Sequence, residues 1–444
     1  MLIQIQFYQK FILNLLLALL PISFIAGNLI LNSNIVLIIL YSFFLFHFKI
    51  FKEKLTLTDK LVIILFTYIL INGFLNNFLN FNFTDVSNEN IVLIKSLSFL
   101  RFFFLYFVVK FLVIKNFINY KFIFLIFGSC SLLVSLDIIF QFFNGVDVFG
   151  YESSGRRLSG PFGEELIAGS FIQRFFIFLP LLFIIFFRIK NKIIFNLLIF
   201  ISLAIILAGI LLSGNRMPIL MLMIMLVLLF FYENKLRKNL SVIFLLFSIT
   251  ICFLIFEKSK FRPHYLTFIA KSAQIVDYAK QRIFYGKVEV KNVYVKEIES
   301  GILTWQKNKY FGGGIDSFRW NCNSVDRSKM LSFISKRGNV NCNNHPHNYY
   351  LEIASELGLV GLFIVLIIFG NIIFNIFKLL HFSKVKPYSY EILKVFFIVF
   401  IVEIFPLKTT GSFFSTFNAN FIFIILPIIV GLIENKREIN NESR

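Results

Sequence analysis

The feature that most limits what this chain can become is its succession of long apolar stretches. Crossing about 30 Å of hydrocarbon takes roughly 20 apolar residues in a helix. Stretches of this kind lie near 11–31, 35–50, 61–80, 97–114, 121–143, 171–187, 193–212, 217–232, 240–257, 348–377, 390–407 and 412–433, twelve in all. In hydrocarbon every backbone polar group needs an internal partner, and a helix supplies one within the segment itself. A mean hydropathy of +0.80, with only 15% charged residues, excludes a soluble domain of this length. The expected fold class is an all-α polytopic membrane protein of about twelve transmembrane helices. Its expected divisions are 1–257, holding nine helices and a candidate re-entrant segment near 144–170; a large loop at 258–347; 348–433, holding the last three helices; and a tail at 434–444.

Lys and Arg placement orients such a chain, because cytoplasmic connections retain them. The even-numbered connections carry them: Lys49, Lys52, Lys54 and Lys60, then Lys110, Lys115 and Lys121, with the same pattern at 188–192, 235–238 and 378–386. The short odd-numbered connections are nearly bare of them. Both termini are therefore expected in the cytoplasm and the large loop outside it. Residues 1–30 do not read as a cleaved secretory signal, since no small-x-small site precedes polar sequence. Arg156, Arg157, Arg174 and Arg216 fall on the outer side, against the bias.

The formal charge of +20 does not point to nucleic acid, because about half of it is explained by membrane orientation. Residues 258–347 hold sixteen Lys/Arg against six Asp/Glu. On the outer side such a surplus suits a lipid phosphate or a phosphorylated glycan. Holding the loop at anionic headgroups would explain most of these side chains equally well. Cys130 and Cys252 sit in apolar helices and read as packed thiols. Cys322 and Cys342 bracket a stretch of the loop and suit a disulfide in an oxidising compartment, although free thiols or a Cys/His metal site also remain open.

Three constellations fall on one side of the predicted membrane. The first is Asn343-Asn344-His345-Pro346-His347-Asn348, which holds two of the five histidines. Pro346 suits the first turn of a helix entering the membrane, which would place His347 in that turn. Asn348, Glu352 and Glu356 then recur on one face. Buried carboxylates in a membrane are costly and mark an interior site or partner. An interfacial capping cluster, with Gly358 and Gly361 as helix-packing glycines, is the structural alternative. The second is the tight turn Leu212-Ser213-Gly214-Asn215-Arg216-Met217-Pro218, whose guanidinium suits bidentate phosphate binding unless it merely snorkels. The third is Gly155-Arg156-Arg157-Leu158-Ser159-Gly160-Pro161, continuing to Glu164, Glu165, Gly169 and Arg174. Arg157, Glu165 and Arg174 are its candidate cavity-lining residues, and an ordinary polar loop is the alternative. Within the large loop, Gly312-Gly313-Gly314 precedes Asp316 and Arg319; three glycines alone are a weak signal.

Histidines facing arginines at a membrane surface suit transfer from a diphosphate leaving group. Neutral imidazole removes a hydroxyl proton, and arginines neutralise the departing charge. No Asp-x-Asp pair is present, and the cations suffice without a metal.

These elements resemble the bacterial O-antigen ligase and O-antigen polymerase superfamily. The resemblance is carried by His345-Pro346-His347-Asn348 with Tyr350-Leu351 and Glu356-x-Gly358, by Ser213-x-x-Arg216, by Arg157-Leu158-Ser159-Gly160, and by Gly312-x-Gly314-x-x-x-Phe318-Arg319. It implies a GT-C-like, metal-independent membrane glycosyltransferase without a cofactor. The donor would be an undecaprenyl-diphosphate-linked glycan, and the acceptor lipid A-core or another lipid-linked glycan. The setting would be the periplasmic face of the bacterial inner membrane, in O-antigen and lipopolysaccharide biosynthesis. The histidine before Asn acts at the acceptor in that family, which maps to His347, with His345 beside it. Arg216 best matches the diphosphate-binding arginines and Arg157 follows, with Arg174, Arg319 and Arg282 as further candidates. Asn348, Glu352, Glu356 and Glu165 would support the site. Family ligases carry an arginine shortly before a Trp in the large loop. Here Gly301-Ile302-Leu303-Thr304-Trp305 has none, so Arg282 or Arg319 would have to substitute. A transporter or flippase for a lipid-linked saccharide is the alternative of another class. It predicts ionisable residues near the midplane in repeated halves, and the sequence shows no such repeat.

Overall fold

Apolar helical sequence becomes helix wherever it is long enough, and helix is the dominant regular structure among the described residues of this computed structural model. Those residues are 2–78, 90–152, 157–187, 189, 191–256, 293–325, 342–382, 388–409 and 411–442, with isolated positions between 266 and 280. The helices are α1 (Leu2–Ala18), α2 (Leu20–Ile25), α3 (Asn28–Phe46), α4 (Leu57–Phe78), α5 (Ile91–Ile114), α6 (Tyr120–Asn144), α7 (Ala168–Phe175), α8 (Phe178–Ile185), α9 (Lys192–Leu212), α10 (Arg216–Tyr232) and α11 (Arg237–Phe256). α12 (Val293–Lys307) lies within the large loop, and α13 (Tyr349–Phe382), α14 (Tyr388–Glu403) and α15 (Thr416–Glu442) follow it.

All twelve apolar stretches fold largely as helix, and the chain is an all-α, multi-pass membrane protein. Fewer than twelve helices among the described residues are long and apolar enough to be full spans. Among the described residues nine helical segments are long and apolar enough to cross a bilayer alone, and up to ten if a bent pair is one span. That pair is Arg216–Tyr232 with Asn234–Ile249, bent by 110°. α14 has only 16 residues, about 24 Å of helix, and is short for the hydrocarbon core.

The core is built around α5, α15 and the broken pair α7/α8, whose spans are the most enclosed. Phenylalanine rings interlock there, edge to face for Phe66–Phe423, Phe99–Phe102 and Phe99–Phe423 and stacked for Phe102–Phe423, arrangements favoured by the ring quadrupole. α7 and α8 separate at residues 176–177 because Pro180 has no N–H and its ring crowds the carbonyl of Phe176. Cys130 is buried as expected, whereas Cys252 lies exposed on α11.

Two breaks position the site. α13 has a non-helical residue at Gly358 (φ 67°, ψ −170°), so this glycine does more than allow helices to pack. The carbonyls of Ser355 and Glu356 turn away from their own helix and accept from the N–H groups of Gly313 and Gly314 at 3.3 and 2.7 Å. Beyond the break, the N–H groups of Leu359 and Val360 donate to the carbonyls of Lys309 and Tyr310 at 3.0 and 3.2 Å. The glycine run of the large loop thus docks into the gap and replaces the missing intrahelical bonds, a requirement wherever a helix is broken at membrane depth. The approach leaves no room for side chains: a Cβ on Gly358 would strike the Tyr310 carbonyl, and one on Gly312 the Glu356 carbonyl.

Candidate active site

The histidine segment is tied down almost residue by residue. A disulfide joins Cys322 to Cys342. Asn343 Nδ2 donates to Glu297 Oε1 of α12 at 3.0 Å. Pro346 lies against α12 at Gly301, where a Cβ would sit 3.2 Å from the proline Cβ. Asn348 Nδ2 donates to the Pro406 carbonyl at 2.8 Å. The expectation that Pro346 opens the helix is corrected. α13 begins at Tyr349, and Asn348 is its cap, its Oδ1 accepting from the N–H groups of Tyr350 and Leu351 at 3.0 and 3.2 Å. His347 stands outside the first turn in the left-handed region (φ 52°). An amide cap that satisfies two helix-end donors defines the helix start more strongly than a proline two residues earlier.

The left-handed turn folds the two imidazoles together, with ring centroids 4.4 Å apart. Burial, the neighbouring His347 and the Arg319 guanidinium push His345 down to about 4, so it is neutral near pH 7. Its buried Nε2 has no hydrogen-bond partner among the described residues. Arg319 reaches the site from the docked loop and pairs with Asp316, which also faces Lys95 at 3.5 Å.

Beneath the imidazoles, the carboxylates of α13 hold two different loops. Glu352 accepts from Ser412 Oγ and the Phe413 N–H, both at 2.5 Å. Glu356 accepts from the Phe318 N–H at 3.5 Å, just before Arg319. These carboxylates position the loops that carry the cations.

The structure removes Arg174 from the set of open diphosphate ligands. It is buried, donating from Nε to Glu403 Oε2 at 3.0 Å and from one Nη to Glu403 Oε1 at 2.6 Å, and it lies over the rings of Phe417 and Phe421. The same Glu403 oxygen accepts from Lys408 Nζ at 2.7 Å and from Tyr349 OH at 2.8 Å. Burial pulls Lys408 down to about 8 despite its carboxylate partner. A guanidinium on the first helical turns of an apolar span finds a buried partner more readily than an open ligand. Sequence reasoning misses Glu403 and Lys408, although a lone acidic residue closing an apolar stretch is itself a sign of such a partner.

The two arginine constellations share one place. The Leu158 N–H donates to the Ser213 carbonyl at 3.4 Å, and Gly169 lies so close to the tight turn that a Cβ would be 2.7 Å from Ser213 Oγ. Arg216 opens α10, half-buried and engaged with its surroundings, as is the exposed Arg157. Residues 157–163 cross the helix ends at shallow depth, with the Gly160 N–H donating to Gln141 Oε1 near the end of α6 at 2.9 Å. Glu165 is exposed there instead of lining an enclosed cavity. Arg156 and Arg282 lie outside the described residues. His345, His347, Asn348, Glu352, Glu356 and Arg319 therefore form one group. Arg157 and Arg216 form a second at the same end of the bundle, and the Tyr349–Arg174–Glu403 network lies between α13 and α7.

No curated protein matches the chain. Residues 201–366 match the family model described as O-antigen ligase. This match runs from α9 through the tight Arg216 turn and the histidine segment into α13. Over these residues the chain is similar to the O-antigen ligase family.

Proposed function

We propose that this protein is a membrane glycosyltransferase that transfers or polymerises a glycan carried on undecaprenyl diphosphate. It would act at the periplasmic face of the bacterial inner membrane, with both termini in the cytoplasm. The observation that carries the proposal is the pair of imidazoles at a capped helix start, at the bundle end that also gathers Arg319, Arg216 and Arg157. A neutral His345 packed edge-on against His347 leaves His347, beside the capped helix start, as the base.

In the proposed step His347 takes the proton from an acceptor hydroxyl of lipid A-core or of a second lipid-linked glycan. The hydroxyl oxygen attacks the anomeric carbon of the donor. The glycosyl–phosphate bond breaks, and undecaprenyl diphosphate leaves with the electron pair. Arg216 and Arg157 balance its charge, with Arg319 nearest the imidazoles. The proton on His347 returns to the released diphosphate or to water. Diphosphate needs no acid to leave, and the protein's own cations do the neutralising work, so the step is written without a metal or cofactor.

The test is a deletion strain complemented with wild-type, His347→Ala or Arg216→Ala protein, read as lipopolysaccharide banding at matched expression. Loss of all attached glycan identifies a ligase, and a core-plus-one-unit band identifies a polymerase. Wild-type ladders from both variants would refute the site, and an intact ladder in the deletion itself would refute both activities.

A further inference from the structure

Part of the large loop does not remain above the helix ends. The Phe311 carbonyl accepts from Tyr68 OH at 2.8 Å and from Asn72 Nδ2 at 2.5 Å. Asn72 lies six residues inside the end of α4 at Phe78, about 9 Å at 1.5 Å per residue. Gly358, against which Tyr310 docks, lies nine residues inside the start of α13, about 13 Å by the same rise. At and above this level α4 still turns apolar side chains outward, with Phe74 54% and Phe78 60% exposed. α13 does so just below it, with Phe363 66% exposed. Tyr310 and Phe311, themselves 61% and 66% exposed, therefore project at the depth of an apolar, outward-facing band.

An irregular segment survives at that depth only if its polar backbone is satisfied by protein. Here the carbonyls of residues 309 to 312 all accept from protein donors: Leu359, Val360, the Tyr68–Asn72 pair, and Asn76 at 3.4 Å. The flanking side chains have the composition of a membrane interface. Trp305 Nε1 donates to the Lys309 carbonyl at 3.0 Å, and the Lys309 ammonium lies 5.9 Å from the Trp305 ring and 5.8 Å from Tyr310. Trp, Tyr and Lys collect where one end of a side chain is apolar and the other wet.

The geometry points to a lipid-binding wedge: residues 305–311 enter one leaflet from the side of the bundle, with Tyr310 and Phe311 against acyl chains and Trp305 and Lys309 at the level of glycerol and phosphate. The wedge rests on the membrane fold and not on glycosyl transfer. It anchors in the bilayer the stretch that continues through Gly312–Gly314 to Arg319, so the height of that cation above the membrane is set by lipid as well as protein.

Fluorescence tests this directly, because the chain holds only two tryptophans. A Phe311→Trp probe in a Trp305→Phe, Trp320→Phe background, in phosphatidylcholine nanodiscs, is expected to lose at least half its emission when the acyl chains carry bromine. Aqueous iodide should leave it nearly unaffected. A Gln306→Trp probe in the same background, on the exposed side of α12, should behave in the opposite way. Trp305 itself, read in Trp320→Phe alone, should be quenched by bromine placed near the headgroup. Iodide quenching of the Phe311 and Trp305 probes equal to that of the Gln306 probe, with no bromine effect, would overturn the wedge.

Discussion

The two ends of the bundle solve the same problem with opposite sign. At one end Lys110 is buried between Asp59 at 2.5 Å and Glu434 at 2.8 Å, with Tyr106 OH donating to Asp59 at 2.6 Å. Two carboxylates meet one ammonium, which leaves a formal surplus of one negative charge. At the histidine end a single carboxylate, Glu403, meets Arg174 and Lys408, which leaves one positive charge. Neither surplus is cheap where water is scarce, since charge interactions strengthen as the dielectric falls. At the histidine end Arg174 Nη1, Arg319 Nε and His345 Nε2 are buried without hydrogen-bond partners among the described residues. The positive surplus of the Glu403 network and these unpartnered nitrogens lie at the end where the proposed reaction would bring a diphosphate. The opposite network reads as a clamp that joins α4, α5 and α15.

The sharpest way to break this contrast is to remove the proposed base. His347→Ala should lower glycan transfer by reconstituted protein by about 10²–10⁴-fold, the usual worth of a general base, with unchanged thermal unfolding in detergent. Next come the carboxylates on which both networks depend. Glu403→Gln should destabilise the protein by about 3–5 kcal/mol, because it leaves two buried cations without their counter-charge, and Asp59→Asn by less, because Glu434 still faces Lys110 at 2.8 Å. Thermal unfolding of the two variants measures this, and a loss at only one end would end the analogy.

The surplus charges separate the ends more finely. Lys408→Met keeps the Arg174–Glu403 pair but removes the excess positive charge. One unit charge acting over ~10 Å at an effective dielectric of ~20 is worth about 1.7 kcal/mol, so transfer should fall by about tenfold or somewhat more. Glu434→Gln at the other end should leave transfer rates unchanged. Equal effects on transfer from both would show that the sign of the surplus is irrelevant to function.

A pH dependence of stability is expected at the histidine end alone. His345 is held at about 4 against an ordinary 6.5, so between these values the unfolded chain binds more protons than the folded one. Stability is then complete above pH 6.5 and is lost as pH falls toward about 4. His345→Gln should flatten that slope in unfolding titrations, while Asp59→Asn should leave this window unchanged.

Much of this architecture is legible in residue order alone. Run length marks the helices, and the histidine and arginine outliers fall at one end of the bundle. Asn348 stands out in the sequence only as a polar neighbour, because capping depends on a backbone conformation at His347 that proline and histidine spacing do not reveal. Gly312–Gly314 and Gly358 are separated by more than forty residues, and each alone is a weak signal. Their roles appear only when a loop and a broken helix exchange backbone hydrogen bonds. Arg174 reads as a ligand in the sequence because the charge rule flags it and nothing in its neighbourhood names Glu403 as its partner, more than two hundred residues away.

The bilayer accounts for this division. Burial of apolar side chains and self-satisfied helical backbone depend on local composition, so the class of fold and the position of its helices follow from residues read in order. Pairing of buried charges, docking of a glycine loop into a helix break and the depth of Tyr310 and Phe311 depend on contacts between distant segments. These were decided only by packing, because in a low-dielectric interior a charge or an open carbonyl is tolerated only where another part of the chain arrives to meet it.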